Sequence, residues 1–457
     1  MKHIPKAWRW PLLVLLYAVL GLVYYRSNGQ NLLPDSDTQL ILGGLKRHPD
    51  FWLWWHHDWP LGNHFYRPMS TFFFQFDHLV YGNNGAGWAW TTALLCIFST
   101  IGVYWAAREI TDSPLLTAIA TFIFYLWQID SGSFLLFYTP QTAIVIAVIG
   151  FIRHRKNWRA YIPAAFVWMW LAQELSGITS LEFRDLHWIP GRTATSMAVF
   201  AMLSIACFAR YCRLLPRRVV EKPITSMDVP ATKSTVINRE TKLPSIAWPI
   251  ASGILMFLAM ACYEQGVMVP AVLGLVALAW YFRGSKIQWS WAGYFAAILL
   301  AYIGLHLAFV PHQESRYYKW QKRSNYSAFT FMQRYFFIPY YPWRYLVASF
   351  SGGPLMLITS SPYNSFIELV SSIYAMWESR RKWVIIGFGW LGSTLAYAPM
   401  AWYKDFDHYH YWPMAVRSIG VAAFLVVAVE MALIAVSPPT LQAPQRLVPA
   451  PGSLPHP

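Results

Sequence analysis

The sequence predicts an all-α, polytopic membrane protein, and three observations carry that expectation. Of 457 residues, 56% are hydrophobic and only 12% are charged, about half the ~25% charge content of soluble domains. Mean hydropathy over the whole chain is +0.33. Uninterrupted apolar runs recur along the chain, each able to cross about 30 Å of hydrocarbon as a helix that satisfies its own backbone.

The spans are expected at about 10–26, 87–107, 114–130, 134–152, 159–176, 191–210, 245–262, 267–282, 289–310, 343–360, 383–402 and 412–436. Together they make a bundle of about twelve transmembrane helices over residues 1–437. The first, in "MKHIPKAWRWPLLVLLYAVLGLVYY", has a basic start and no small-x-small cleavage pattern after its apolar run, so it reads as an uncleaved span. With a cytoplasmic N-terminus, strict alternation brings Arg153–Arg159, Arg210–Lys222, Phe282–Lys286 and Glu378–Trp383 to the cytoplasmic side. Four basic loops on one side satisfy the positive-inside rule. The expected location is therefore the cell's inner (plasma) membrane, as a multi-pass protein.

On this topology three outward segments are large enough to matter: 27–86, the shorter 177–190, and 311–342. Residues 213–243 are polar and mixed in charge, as in a flexible cytoplasmic linker. Residues 438–457 form a Pro-rich tail expected to be disordered.

The formal net charge of +15 does not indicate nucleic-acid binding. Many of the basic residues sit in short loops beside apolar spans, and no zinc-finger or RNP-like motif is present. The four cysteines, Cys96, Cys207, Cys212 and Cys262, lie in or beside spans without metal-ligand spacing, and read as buried thiols rather than a disulfide framework.

The first outward segment is the most informative. In "HFYRPMSTFFFQFDHLVYG" (His64 to Gly82), Pro68 suits the first turn of a helix and Gly82 a helix stop. Met69, Phe72, Phe73, Phe76 and Val80 recur at helical spacing, opposed by a polar stripe of Thr71, Gln75 and His78. About fourteen residues are too few to span, so the segment predicts an interfacial helix with its apolar face toward lipid. Upstream, "NLLPDSDTQLILGGL" carries Asp35 and Asp37, and "PDFWLWWHHDWPLGNHFYRP" is dense in tryptophan, which favours headgroup level.

A first span, an acidic outer loop, "YRP", "FQFDHLVYG" and a second span in that order resemble the GT-C superfamily of integral-membrane glycosyltransferases. The likeness is to its protein O-mannosyltransferase-like and tetratricopeptide-bearing O-mannosyltransferase-like branches. "ACYEQGVMVPAVLGLVAL" (Ala261 to Leu278) resembles that family's lysine-glutamate hairpin, and "HYHYWPMAVRSIGVAAFL" (His408 to Leu425) its aromatic approach to a late span. The likeness covers residues 1–110 well and the rest mainly as topology. Three features depart from it: the acidic pair is split as Asp35-Ser-Asp37, Tyr263 stands where the family has lysine, and no tetratricopeptide array follows in this sequence.

The resemblance implies an enzyme that moves a sugar from a polyprenyl-phosphate-linked donor to a glycan, lipid or protein acceptor, with inversion, at the outer membrane face. Such a reaction needs a carboxylate near the attacking acceptor as base, for which Asp35 and Asp37 are the candidates. It also gains from positive charge on the departing phosphate, where an arginine can bind bidentately. Arg67 is the candidate there, with His64, Tyr66, Glu264, Arg316 and Arg334 as further substrate-binding residues.

Other readings of the same residues stay open. "PDSDT" is good N-cap sequence. Arg67 could instead reach lipid phosphate or pair with Asp58 or Asp77. Glu264, in a short hairpin between spans, calls for a partner, and Glu174 beside Gln173 is a weaker site candidate. Residues 311–344 hold Arg316, Lys319, Lys322, Arg323, Arg334 and Arg344 against Glu314 alone. That excess signals a topology flip, or an outward surface for a polyprenyl-phosphate head group or anionic lipid.

No cofactor is called for. A divalent metal at "WWHHDW" or "DFDHYHYW", with Asp58, Asp405 or Asp407, is the lesser reading beside interfacial polar residues. Competing functions are a transporter or flippase of lipid-linked saccharide and a catalytically inactive GT-C-like assembly partner. Neither these nor the leading reading involves nucleic acid as a partner.

Overall fold

A computed structural model describes residues 6–28, 32–129, 133–175, 186–216, 244–311, 319–320, 380–402 and 406–437. The expected span at 343–360, most of the linker 213–243 and of the loop 311–342, and the tail 438–457 lie outside the described residues.

Every regular element among the described residues is helical. In chain order they are α1 (Lys6–Asn28), α2 (Ser36–Arg47), α3 (Pro68–Tyr81), α4 (Gly85–Thr111), α5 (Pro114–Ile129), α6 (Ser133–His154), α7 (Trp158–Leu175), α8 (Arg192–Leu214), α9 (Ala247–Cys262), α10 (Val269–Phe282), α11 (Trp291–Phe309), α12 (Arg380–Tyr397) and α13 (Tyr411–Val436). Six helical stretches are long and apolar enough to cross a membrane: Gly85–Thr111, Ile189–Leu214, Glu264–Phe282, Trp291–Phe309, Lys382–Met400 and His408–Val436. The apolar stretches Pro11–Ser27, Pro114–Ile129, Gln141–His154 and Ala247–Cys262 are shorter. The expectation of a helical membrane protein holds, while the count of about twelve spans is not reached by these six.

The chain forms two compact units. The first comprises residues 1–131, 178–338 and 384–422, and the second residues 132–177, 339–383 and 423–457. In the second unit α6 and α7 make a hairpin whose core joins Ile146, Tyr161 and Ala164 to Ala435. The indole of Trp168 donates to the carbonyl of Ala428 at 2.8 Å, and Arg153 and His154 reach the carbonyls of Val436 and Ser437 at the end of α13. Basic side chains on helix-terminal carbonyls satisfy groups that have no intrahelical partner.

In the first unit α4 and α8 run side by side, α9 packs on α8, and α1 and α5 flank α4. Around Thr100 of α4 and Ser204 of α8 the helices are joined by uncharged polar contacts. Tyr24 bonds Thr100 at 3.2 Å, Gln128 donates to Thr100 at 3.1 Å, and Tyr411 donates to Gln128 at 2.6 Å. Ser204 and Ser252 bond across α8 and α9 at 3.0 Å.

Among the described residues, ion pairs gather at two ends of this unit. Arg192, at the start of α8, is buried and donates to Asp77 of α3, Thr92 and the carbonyl of Trp88. At the other end Arg210 and Arg213 of α8 pair with Glu109 of α4. From Trp88 to Glu109 along α4 is roughly 30 Å at about 1.5 Å per residue. That is the thickness of a bilayer's hydrocarbon core, the region where an ion is costliest.

Helix α3, expected to be interfacial, has the expected bounds, with Pro68 in its first turn and Gly82 closing it at φ 55°. Its exposed side is apolar, with Phe76, Leu79 and Val80 outward. Of the polar stripe, Thr71 and Gln75 are buried against the protein, where they donate to the carbonyls of Arg67 and His48, and His78 is half-buried. Beside them Ser70 donates to the Cys262 carbonyl and Asp77 accepts from Arg192.

Removing one member of a buried ion pair leaves the other charged and unpaired, at a cost of about 3–5 kcal/mol. Arg192→Met is therefore expected to lower the unfolding midpoint of the purified protein sharply. Arg192→Met combined with Asp77→Leu should recover most of the loss, as read by thermal unfolding in detergent.

Candidate functional site

The site is built by a loop, a short helix and a hairpin. Residues 32–89 form an ordered assembly around one apolar cluster of Leu32, Leu33, Ile41, Leu42, Leu45, Trp54, Trp59, Phe74, Trp88, Ala89 and Ile189. Phe65 and Leu61 pack on its edge. Asp58 pins the loop, accepting the backbone N–H groups of Trp59 at 2.7 Å and of His64 at 3.0 Å. Burial pushes the Asp58 carboxyl above the usual range, against those donors. His64 adopts positive φ, 65°, at this turn. Tyr66 is fully buried and donates to the carbonyl of Trp55 at 2.8 Å, and burial raises its hydroxyl to about 12.

Arg67 occupies the N-cap position of α3, with its side chain turned to the hairpin between α9 and α10. Its Nε lies 2.9 and 3.0 Å from the two carboxylate oxygens of Glu264, and Nη2 donates at 2.7 Å. Three rings surround the guanidinium: Phe65 at 4.2 Å, Tyr263 at 4.4 Å and Trp59 at 5.3 Å. Both side chains are mostly buried, 11% exposed for Arg67 and 21% for Glu264. Burial pulls the arginine toward neutrality, but Glu264 together with Tyr263 and Tyr409 outweighs it and holds the proton more tightly than usual.

The hairpin that carries Glu264 is a 3₁₀ turn, Glu264–Met268, pressed back onto the end of α9. A Cβ at Gly266 would stand 2.7 Å from the backbone nitrogen of Met260, so only glycine fits that approach. Gln265 donates to the carbonyls of Ala396 and Tyr409, both at 2.8 Å, which ties the hairpin to the aromatic stretch before α13. Tyr263, His408 and Tyr409 form neighbouring rings there.

Arg67 thus pairs with neither Asp58 nor Asp77, the partners its sequence neighbourhood suggested. Asp58 serves backbone amides, and Asp77 is held by Arg192 and by Thr91 at 2.6 Å. Asp35 is the N-cap of α2: its Oδ2 accepts from the Thr38 amide at 2.9 Å and the Thr38 hydroxyl at 3.0 Å. Asp37 stands in the first turn of the same helix, whose Ile41, Leu42 and Leu45 share the apolar cluster with Trp59. The structure therefore brings Tyr66, Arg67 and Glu264 into one neighbourhood with His64 in the adjoining turn, and joins the Asp35 helix to it through Trp59 and Phe65.

Arg316 and Arg334 lie outside the described residues, as do Asp405 and the side chains of Gln173, Glu174 and Asp407. Among the described residues no group of three His, Cys, Asp or Glu side chains is placed to hold a metal ion.

Sequence reasoning missed Arg192 and the ring cage of Trp59, Phe65 and Tyr263. "IPGRT" offered one signal for Arg192, a cation at the first turn of an apolar span, where burial demands a counter-charge.

The fold and these ion pairs define a helical protein embedded in a membrane, with a caged arginine at one end of its larger unit. Its kinship is not given by comparison: no protein-family model matches the chain, and searches of curated proteins and of solved structures return no match.

A double-mutant cycle on Arg67→Ala and Glu264→Ala should return a coupling of about 1–3 kcal/mol. Glu264→Gln alone should destabilise the protein, since it leaves Arg67 charged inside an aromatic cage. Thermal unfolding of the four proteins measures both quantities.

Proposed function

We propose that this chain is an integral-membrane glycosyltransferase of the GT-C type. It transfers a sugar from a polyprenyl-phosphate donor to an acceptor hydroxyl or amine on a glycan, lipid or protein, with inversion, at the outer face of the inner (plasma) membrane. The N-terminus then lies in the cytoplasm, with α3 and the Arg67 site outside.

The supporting observation is the meeting of Arg67 and Glu264. The two lie 197 positions apart, and each falls in a motif that the resemblance singles out. Glu264 occupies Nε and Nη2, and among the described residues Nη1 has no hydrogen-bond partner. A guanidinium has five N–H donors, so its outer end remains able to grip a second anion while Glu264 fixes its orientation. A phosphate leaving group needs that contact as negative charge builds on its bridging oxygen. The surrounding rings keep water away and strengthen it.

The chemistry of transfer is then simple. The acceptor oxygen or nitrogen attacks the anomeric carbon from the face opposite the phosphate, the carbon–oxygen bond to phosphate breaks, and a carboxylate takes the acceptor's proton. Asp35 and Asp37 are the candidates for that base. The α2 cap orients Asp35 through Oδ2 alone, and among the described residues its Oδ1 makes no hydrogen bond. A carrier of lipid-linked saccharide would instead hold charged groups along a path in mid-bundle; the contacts joining Tyr24, Thr100, Gln128 and Tyr411 are uncharged, and Arg417 is buried within α13.

Purified protein should transfer sugar from at least one member of a panel of polyprenyl-phosphate sugars. Asp35→Asn or Asp37→Asn should slow transfer by about 10²–10⁴-fold, the usual contribution of a general base. Arg67→Lys, which keeps the charge but loses the planar fork, should also slow it. Undiminished transfer in both asparagine variants would remove the two aspartates from the mechanism. Donor and acceptor binding without turnover by the wild type would favour the inactive assembly partner.

A further inference from the structure

At the end of the first unit remote from α3, five charges run in an alternating chain. Arg210 donates to Glu109 Oε1 at 3.0 Å, and Arg213 stands 2.8 Å from Glu109 Oε2. Arg213 also donates to Asp112 Oδ1 at 3.2 Å, and Arg108 lies 3.8 Å from the same oxygen. The chain begins and ends on a cation, so arginines outnumber carboxylates. Arg283 brings a further positive charge, donating to the carbonyl of Ile110. Partial negative charge at the C-termini of α4 and α8 offsets part of this excess.

Arg210 leaves most of its donor capacity unused. One Nη1 hydrogen goes to Glu109, while its Nε is buried without a hydrogen bond and Nη2 has no acceptor among the described residues. The buried Nε is out of reach of a ligand, so the outer, Nη2 side of the guanidinium fork is the part an oxyanion can contact. The Arg210 side chain is 35% exposed, and its guanidinium lies 4.9 Å over the ring of Trp248, which meets Trp105 edge to face. An indole pair beside an arginine at the end of apolar helices has the composition of a membrane headgroup layer.

We propose that Arg210, with Arg108 and Arg213 adding positive field and Trp248 as a shelf, is a binding site for a phosphate oxyanion, supplied by an anionic phospholipid headgroup. The site is separate from the Arg67 pair and stands whether or not the transferase reading is correct.

The full-length protein in phosphatidylcholine vesicles, with and without phosphatidylglycerol, tests this through its thermal unfolding midpoint. Phosphatidylglycerol should raise the wild-type midpoint by about 2 °C or more, as a ligand of the native state does. Arg210→Lys keeps the charge opposite Glu109 but lacks the fork, and should lose at least half of that increment. Arg47→Gln removes an equal charge from an exposed position on α2 and should keep it. Trp248→Leu leaves every charge in place and should shrink the increment, which keeps the test decisive should the lysine variant misfold. No increment in the wild type, or an undiminished one in both Arg210→Lys and Trp248→Leu, overturns the site. Inorganic phosphate added to pure phosphatidylcholine vesicles separates the sources: an equal increment from it overturns the lipid and assigns the fork to a soluble phosphate.

Discussion

The constraint on which this structure turns is the cost of an ion inside an apolar bundle. Isolated charges are costly there, so among the described residues ion pairs of the first unit gather at two levels about 30 Å apart, with hydroxyl and amide contacts around Thr100 between them and Arg417 buried within α13. Arg67 with Glu264 and Arg192 with Asp77 occupy one level, and Glu109 with Arg210 and Arg213 the other. Each pair also clamps elements far apart in sequence. Arg192 joins α3, α4 and α8, and Arg67 joins α3 to the α9–α10 hairpin.

The two pairs beside α3 differ in a way that bears on function. Arg192 is saturated, donating to a carboxylate, a hydroxyl and a carbonyl while fully buried. Arg67 sits in a cage of rings with one end of its guanidinium unused and some exposure. A saturated arginine acts as a fastening, whereas a partly used, oriented arginine is suited to receive an anion. At the opposite end of the bundle Arg213 pairs with two carboxylates and Arg210 with one.

Helix α3 illustrates which signals were legible. Its limits follow from Pro68 and Gly82, whose effects are local to the backbone, and the structure places the helix at Pro68–Tyr81. The apolar runs within the described residues likewise coincide with helices within a few residues, as 87–107 does with Gly85–Thr111 and 412–436 with Tyr411–Val436. The destination of the polar stripe was not legible. Thr71 and Gln75 read as a water-facing row because periodicity reports which residues share a face, not what that face meets. Asp35 was legible as a helix cap because the acceptor and its amide lie three residues apart.

By itself, then, the sequence determined that this is a helical membrane protein, where most of its helices begin and end, and which few charged residues would have to find partners. Those outcomes rest on hydropathy and on contacts within a turn or two of chain. Only the tertiary structure decided the partners: Glu264 rather than Asp58 or Asp77 for Arg67, and Arg192 for Asp77. Pairing across 197 and 115 positions depends on how helices dock, since an ion pair's energy depends on the distance that docking sets. Residue order along the chain does not encode that distance.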